Sequence, residues 1–190
     1  MLWTKCKAVM AMVLVAGLAT GCSQQKMSME NMKAPERPKE LDKLDFFVGT
    51  WTGTSEMKMP GSDKPMTGTG TATYSWDLDR RFLVMRGEYD MGQMGKMSMM
   101  SLHTWDPSAK KYFGWGFDSW GMTGTTTMTY DEAAKTWKMW TKGTDCQGQS
   151  TVGEGTIKVI DPGTMEMSFA EWDSWKLHKK MEMKDTSKKK

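Results

Sequence analysis

Met91, Met94 and Met97 follow one another at three-residue intervals in the stretch YDMGQMGKMSMMS, with Met99 and Met100 just behind. Thioether sulfur is a soft donor, so these three side chains could hold Cu(I) or Ag(I). Methionine is equally an adaptable, unbranched filler of apolar walls, and no Cys or His stands among the three to reinforce a metal site. Other chemistry-bearing residues are sparse. The chain has two histidines, His103 and His178, and three cysteines, Cys6, Cys22 and Cys146. No glycine-rich loop opens a helix to cradle phosphate. A base or a metal ligand would have to come from one of the histidines. No catalytic constellation emerges from these positions, and no cofactor is implied.

The N-terminal residues bear on compartment. Lys5 and Lys7 precede an apolar run from Ala8 to Leu18, which is too short to span a bilayer and reads as a secretory signal over residues 1–21. It ends in LATGC, which resembles the bacterial lipobox, with Ala19 where that pattern prefers a larger aliphatic residue. Cys22 is then the expected site of lipidation and the new N-terminus. Ser23 in the next position fits retention at the periplasmic face of the outer membrane. Processing removes Lys5 and Lys7 and leaves 24 basic against 23 acidic residues, so no nucleic-acid partner is expected. With Cys6 removed and Cys22 acylated, Cys146 has no disulfide partner. The expected partners are a membrane, through the lipid, and a small apolar ligand.

These residues must be positioned by something, and the pattern of the chain says what. Residues 22–38 are polar, lack aromatics and contain Pro35 and Pro38, as a flexible tether would. Leu41, Leu44, Phe47 and Val48 then fall at helical spacing before Gly49, predicting a short capping helix. From Thr50 the period becomes two. Trp51, Gly53, Met57 and Met59 alternate with Thr52, Thr54, Glu56 and Lys58, and threonines 67, 69, 71 and 73 alternate with Gly68, Gly70, Ala72 and Tyr74.

Turn signals (PGSDKP, DLDR, DPSAKK, YDEAAK, IDPG) separate about ten strands, starting near residues 50, 66, 81, 97, 111, 122, 135, 149, 164 and 174. Short connections allow only antiparallel neighbours, so an all-β, up-and-down barrel over residues 39–184 is predicted, followed by a basic tail at 185–190. Trp51, Met57, Tyr74, Trp76, Trp175 and Met181 share inward parity with Gly68, Gly70, Gly153 and Gly155. Large walls beside missing side chains predict an open, ligand-holding interior. In WKLHKKMEM the same parity turns His178 outward, while His103 shares a face with Met97, Met99 and Trp105.

The stretches LDFFVGTWTGTSEMKM, MSLHTWDPSAKKYFGWGFDSW and DEAAKTWKM resemble the bacterial domain-of-unknown-function family numbered 1579, across residues 39 to 184. The resemblance implies a calycin-like, lipocalin-like β-barrel and brings no assigned activity with it.

Overall fold

The computed structural model describes residues 34–190. The expected signal peptide, Cys22 and most of the tether lie outside the described residues. From Glu36 onward the chain is one compact unit.

Ten strands run in chain order: β1 (Gly49–Lys58), β2 (Met66–Asp77), β3 (Phe82–Asp90), β4 (Lys96–Asp106), β5 (Lys111–Asp118), β6 (Thr123–Asp131), β7 (Thr136–Thr144), β8 (Ser150–Asp161), β9 (Thr164–Asp173) and β10 (Lys179–Lys189). Each pairs antiparallel with its sequence neighbours, and β1 also pairs with β10, so the sheet closes into an up-and-down barrel. The period-two pattern placed nine of these starts to within a residue. The tenth differs because Ser174–His178 form a turn. There Asp173 Oδ1 accepts hydrogen bonds from the backbone N–H of Trp175 (3.2 Å) and Leu177 (2.9 Å), an aspartate-organised turn of the usual kind.

The C-terminal residues correct the expected basic tail. Lys184 to Lys189 pair along β1, with Ser187 opposite Gly53 and Lys189 opposite Trp51. The alternation Met181, Met183, Asp185, Ser187 continues β10 through the charged end, and lysine on the outer face of a strand is no obstacle to pairing.

Before β1, Lys39–Phe47 form a 3-10 helix instead of an α-helix. The spacing accounts for this: Leu41, Leu44 and Phe47 recur every third residue, so in 3-10 geometry they fall on one face. All three are buried, in one cluster with Trp51, Leu83, Tyr112 and Trp137. Burial of each contributes roughly 1.5–3 kcal/mol. Polar contacts fix the segment. Tyr112 Oη donates to the Glu40 carbonyl (2.7 Å), Trp51 Nε1 to the Phe47 carbonyl (2.7 Å) and Trp76 Nε1 to Asp45 Oδ1 (2.6 Å). Arg80, in the β2–β3 turn, adds a two-oxygen contact to Asp45 at 2.8 and 3.1 Å.

Candidate ligand cavity

Strand register decides which side chains face inward. Residues paired across neighbouring strands share a face, so Trp51, Ala72, Gly87, Met99 and Asp118 belong to one set around the wall. The inward sets enclose a cavity of about 330 Å³ reaching from Leu44 and Phe47 to Met91 and Met97. Its wall is mostly apolar: Leu83, Met85, Met99, Met128, Met139, Ile157, Met165, Met167, Phe169 and Met183 all line it. Polar side chains are the minority, among them Ser55, Ser101, His103, Thr126, Thr141, Asp185 and Ser187.

The wall glycines correct one step of the sequence argument. They do not simply leave room. A Cβ on Gly70 would lie 2.4 Å from Tyr89 Cδ1, and one on Gly87 2.5 Å from Tyr89 Cε2. The Tyr89 ring therefore lies flat over two glycines, with its hydroxyl 4.0 Å from Met85 Sδ. Phe169 lies over Gly153 in the same way (2.4 Å), and His103 over Gly114 (2.5 Å). Gly116 differs, since a Cβ there would meet only Met99 Cε, at 3.6 Å. Rings laid along the wall leave the lumen free.

The sequence-predicted ligand residues divide. Trp51 and Tyr74 line the cavity, Tyr74 stacking on Phe47 with ring centroids 5.7 Å apart. Met57 is buried beside Met66 and Met183 but does not line it. Trp76 packs at the 3-10 end, held by Asp45, with the Arg37 guanidinium 4.9 Å from its ring centroid. Met181 is half-buried opposite Glu171, outside the cavity lining. Trp175 is the correction: it stands in the β9–β10 turn, 81% exposed, because the strand that was to turn it inward begins only at Lys179.

Of the candidate soft-metal donors, Met91 is buried and lines the cavity with Met97, whereas Met94 is 39% exposed at the hairpin tip and does not line it. Among the described residues no group of three His, Cys, Asp or Glu is placed to hold a metal ion. Cys146 is exposed in the β7–β8 turn.

His178 sits on the surface against Asp173 Oδ2 at 2.8 Å, which holds the Asp173 carboxyl below its ordinary range. His103 faces inward. Its Nε2 lies 2.9 Å from Ser101 Oγ and its Nδ1 is buried without a partner among the described residues. Burial lowers its pKa to about 4. A base that weak removes a serine proton poorly, so at neutral pH the pair is a neutral hydrogen-bonding patch in an apolar wall.

The sequence reading also missed two polar residues on β10. Asp185 and Ser187 line the cavity, with Ser187 Oγ donating to Asp185 Oδ1 at 2.7 Å. Burial raises the Asp185 carboxyl. Burial, with Asp185 adding to it, also raises Tyr74, and lifts Tyr89 to about 12. The signal was present: Asp185 and Ser187 keep the parity of Met181 and Met183.

Fold and interior together define a calycin-like closed barrel with an internal apolar cavity. Residues 36–189 match the DUF1579 family, described as a protein of unknown function, and the chain belongs to that family. In structure it is similar to Rv2717c from M. tuberculosis, with TM-score 0.60 and 12% identity over 82% of this chain and 99% of that one. It is also similar to the S-type phycobiliprotein lyase CPES from Guillardia theta, with TM-score 0.55 and 10% identity over 81% and 94%. At such identities the likeness is one of fold alone. No curated protein matches the sequence.

Proposed function

We propose that this protein is a lipid-anchored envelope protein whose barrel holds a small apolar or amphipathic molecule without transforming it. One observation carries the reading: a cavity of about 330 Å³ walled by methionine and aromatic side chains, with a few polar groups on it. That is the usual make-up of a small-molecule site. Thioether side chains adapt to the shape of what they enclose. The 3-10 segment closes one end, and the hairpin carrying Met91 and Met97 guards the other, where the ligand enters. Export and anchoring are supported by Lys5, Lys7, the apolar run and LATGC ending in Cys22. The lipid on Cys22 tethers the barrel to the periplasmic face of the outer membrane.

The test is a titration with an apolar fluorophore. Trp51 lines the cavity, so occupancy should change tryptophan emission saturably. Gly116→Leu should weaken that binding by filling free space beside Met99. Emission that never saturates, in a folded protein, would leave the interior a packed core and end the carrier reading.

A further inference from the structure

We propose that the cavity selects amphiphiles whose buried end donates hydrogen bonds, a protonated primary amine foremost, and discriminates against fatty-acid-type carboxylates, with Asp185 as the acceptor. This rests on the carrier reading above and adds the chemical class of the ligand.

Among the residues lining the cavity Asp185 is the one carboxylate, and none is a lysine or arginine. A carboxylate ligand would therefore find no counter-charge inside and would meet a like charge. Asp185 is also incompletely used. Its Oδ1 accepts from Ser187 Oγ, and among the described residues this is its one hydrogen-bond donor. Both side chains lean over Gly53: a Cβ there would lie 2.3 Å from Ser187 Oγ and 2.8 Å from Asp185 Oδ2. A carboxylate has about four lone-pair sites, and an acceptor left short of donors in an apolar wall costs free energy until a ligand supplies them.

The groups facing Asp185 agree with this. Ser55 stands opposite on β1 and Met167 on β9. Tyr74 and Tyr89, both within its electrostatic reach, are neutral phenols. Glu171, which shares the inward parity of β9 opposite Gly153 and Met181, is acidic too; Lys189, which keeps the parity of Asp185 on β10, is engaged at the 3-10 end, its Nζ donating to the Phe46 carbonyl at 3.2 Å. Lys180, the cation acting on Glu171, is itself held by Asp145 Oδ2 at 2.6 Å and Gln149 Oε1 at 3.0 Å. Among the residues lining the cavity, no lysine or arginine offsets Asp185. An ammonium at Oδ2 would bring the buried carboxyl back down, whereas a carboxylate would raise it further.

The experiment uses the full-length protein at pH 7, with an apolar fluorophore bound and decylamine, decanol and decanoate as competitors below their micelle-forming concentrations. Decylamine should displace the fluorophore about tenfold or more better than decanoate, as a charge-assisted hydrogen bond allows, with decanol between them. Asp185→Asn keeps the shape and should collapse the amine-to-carboxylate ratio to within about threefold. Decanoate competing as well as decylamine on the unmodified protein would overturn the proposal while leaving the carrier reading intact, and so would a ratio that survives Asp185→Asn. A fluorophore that fails to bind the unmodified protein defeats both.

Discussion

Two glycines of one wall should respond in opposite ways to the same methyl group. Gly116→Ala places a Cβ 3.6 Å from its nearest neighbour, Met99 Cε, which is ordinary contact. Glycine inside a strand is less favourable than alanine by roughly 0.5–1 kcal/mol, so this substitution should stabilise the barrel by about 0.5 kcal/mol. Gly70→Ala places its Cβ 2.4 Å from Tyr89 Cδ1 and 2.8 Å from Cε1. The ring cannot slide along β3 to escape, because its other edge already lies over Gly87. It must lift into the lumen or the backbone must shift, and overpacking of this kind costs about 1–3 kcal/mol. After the alanine gain the net should be about 1–2 kcal/mol of destabilisation, a fall in Tm of about 2–4 °C per kcal/mol for a domain of this size.

Urea unfolding followed by tryptophan emission measures both, with the midpoint moving and the slope unchanged. Tyr89→Leu supplies the control: with the ring gone, Gly70→Ala should lose most of its cost, a coupling readable from a double-mutant cycle. If Gly70→Ala is neutral, or if its cost persists without the Tyr89 ring, then the ring does not rest on that glycine. The account of how the lumen stays open would then be wrong.

His103 gives a pH dependence with a definite sign. Its folded pKa of about 4 lies below the ordinary histidine value of 6.5, so between those values the unfolded chain binds the extra proton and stability falls as pH drops from 6.5 to 4. His103 is half-buried on the cavity wall, so the loss should be about 2 kcal/mol, and His103→Gln should flatten that part of the pH–stability curve. Cys22→Ser should move the protein from the membrane fraction to the soluble one and leave an unlipidated mass; cofractionation with membranes at the wild-type processed mass would defeat the anchoring proposal. The unmodified protein should show no tight Cu(I) uptake in a competition titration; stoichiometric uptake abolished by joint replacement of Met91, Met94 and Met97 with leucine would show that the hairpin is a copper site.

The barrel was legible in the sequence because its information is local. Alternation such as Thr67 to Thr73 against Gly68 to Tyr74 fixes a strand and its faces together, and short turns then leave little choice of neighbour. The inward placement of Trp51 and Tyr74 on the cavity wall follows from that alternation. Trp175 failed because parity carries meaning only on a strand, and the turn that takes those residues off the sheet is held by backbone N–H groups donating to the Asp173 carboxylate, which hydropathy does not register. Asp185 was missed for the opposite cause: a charged residue in a lysine-rich terminus reads as solvated, although the β1 register places it inside opposite Ser55. That two glycines on different strands serve one ring is a tertiary fact, invisible until Gly70 and Gly87 are brought beneath Tyr89.

The same packing explains why this interior is a cavity and not a core. Eight strands already enclose a space that side chains just fill, so ten enclose more than ordinary side chains occupy. The rigid rings are spent at one end, where Phe47, Trp137, Tyr112, Tyr130 and Trp105 pack edge to face or tilted at centroid distances of 4.8 to 5.5 Å around the 3-10 segment. Beyond them the rings of Tyr89, Phe169 and His103 lie down on glycine, and the lumen is lined by Met85, Met97, Met99 and Met183. A rigid floor with a deformable upper wall constrains a ligand's length less than its polarity. Selectivity in such a site has to come from its few polar atoms, and the least satisfied of these belong to Asp185 and His103.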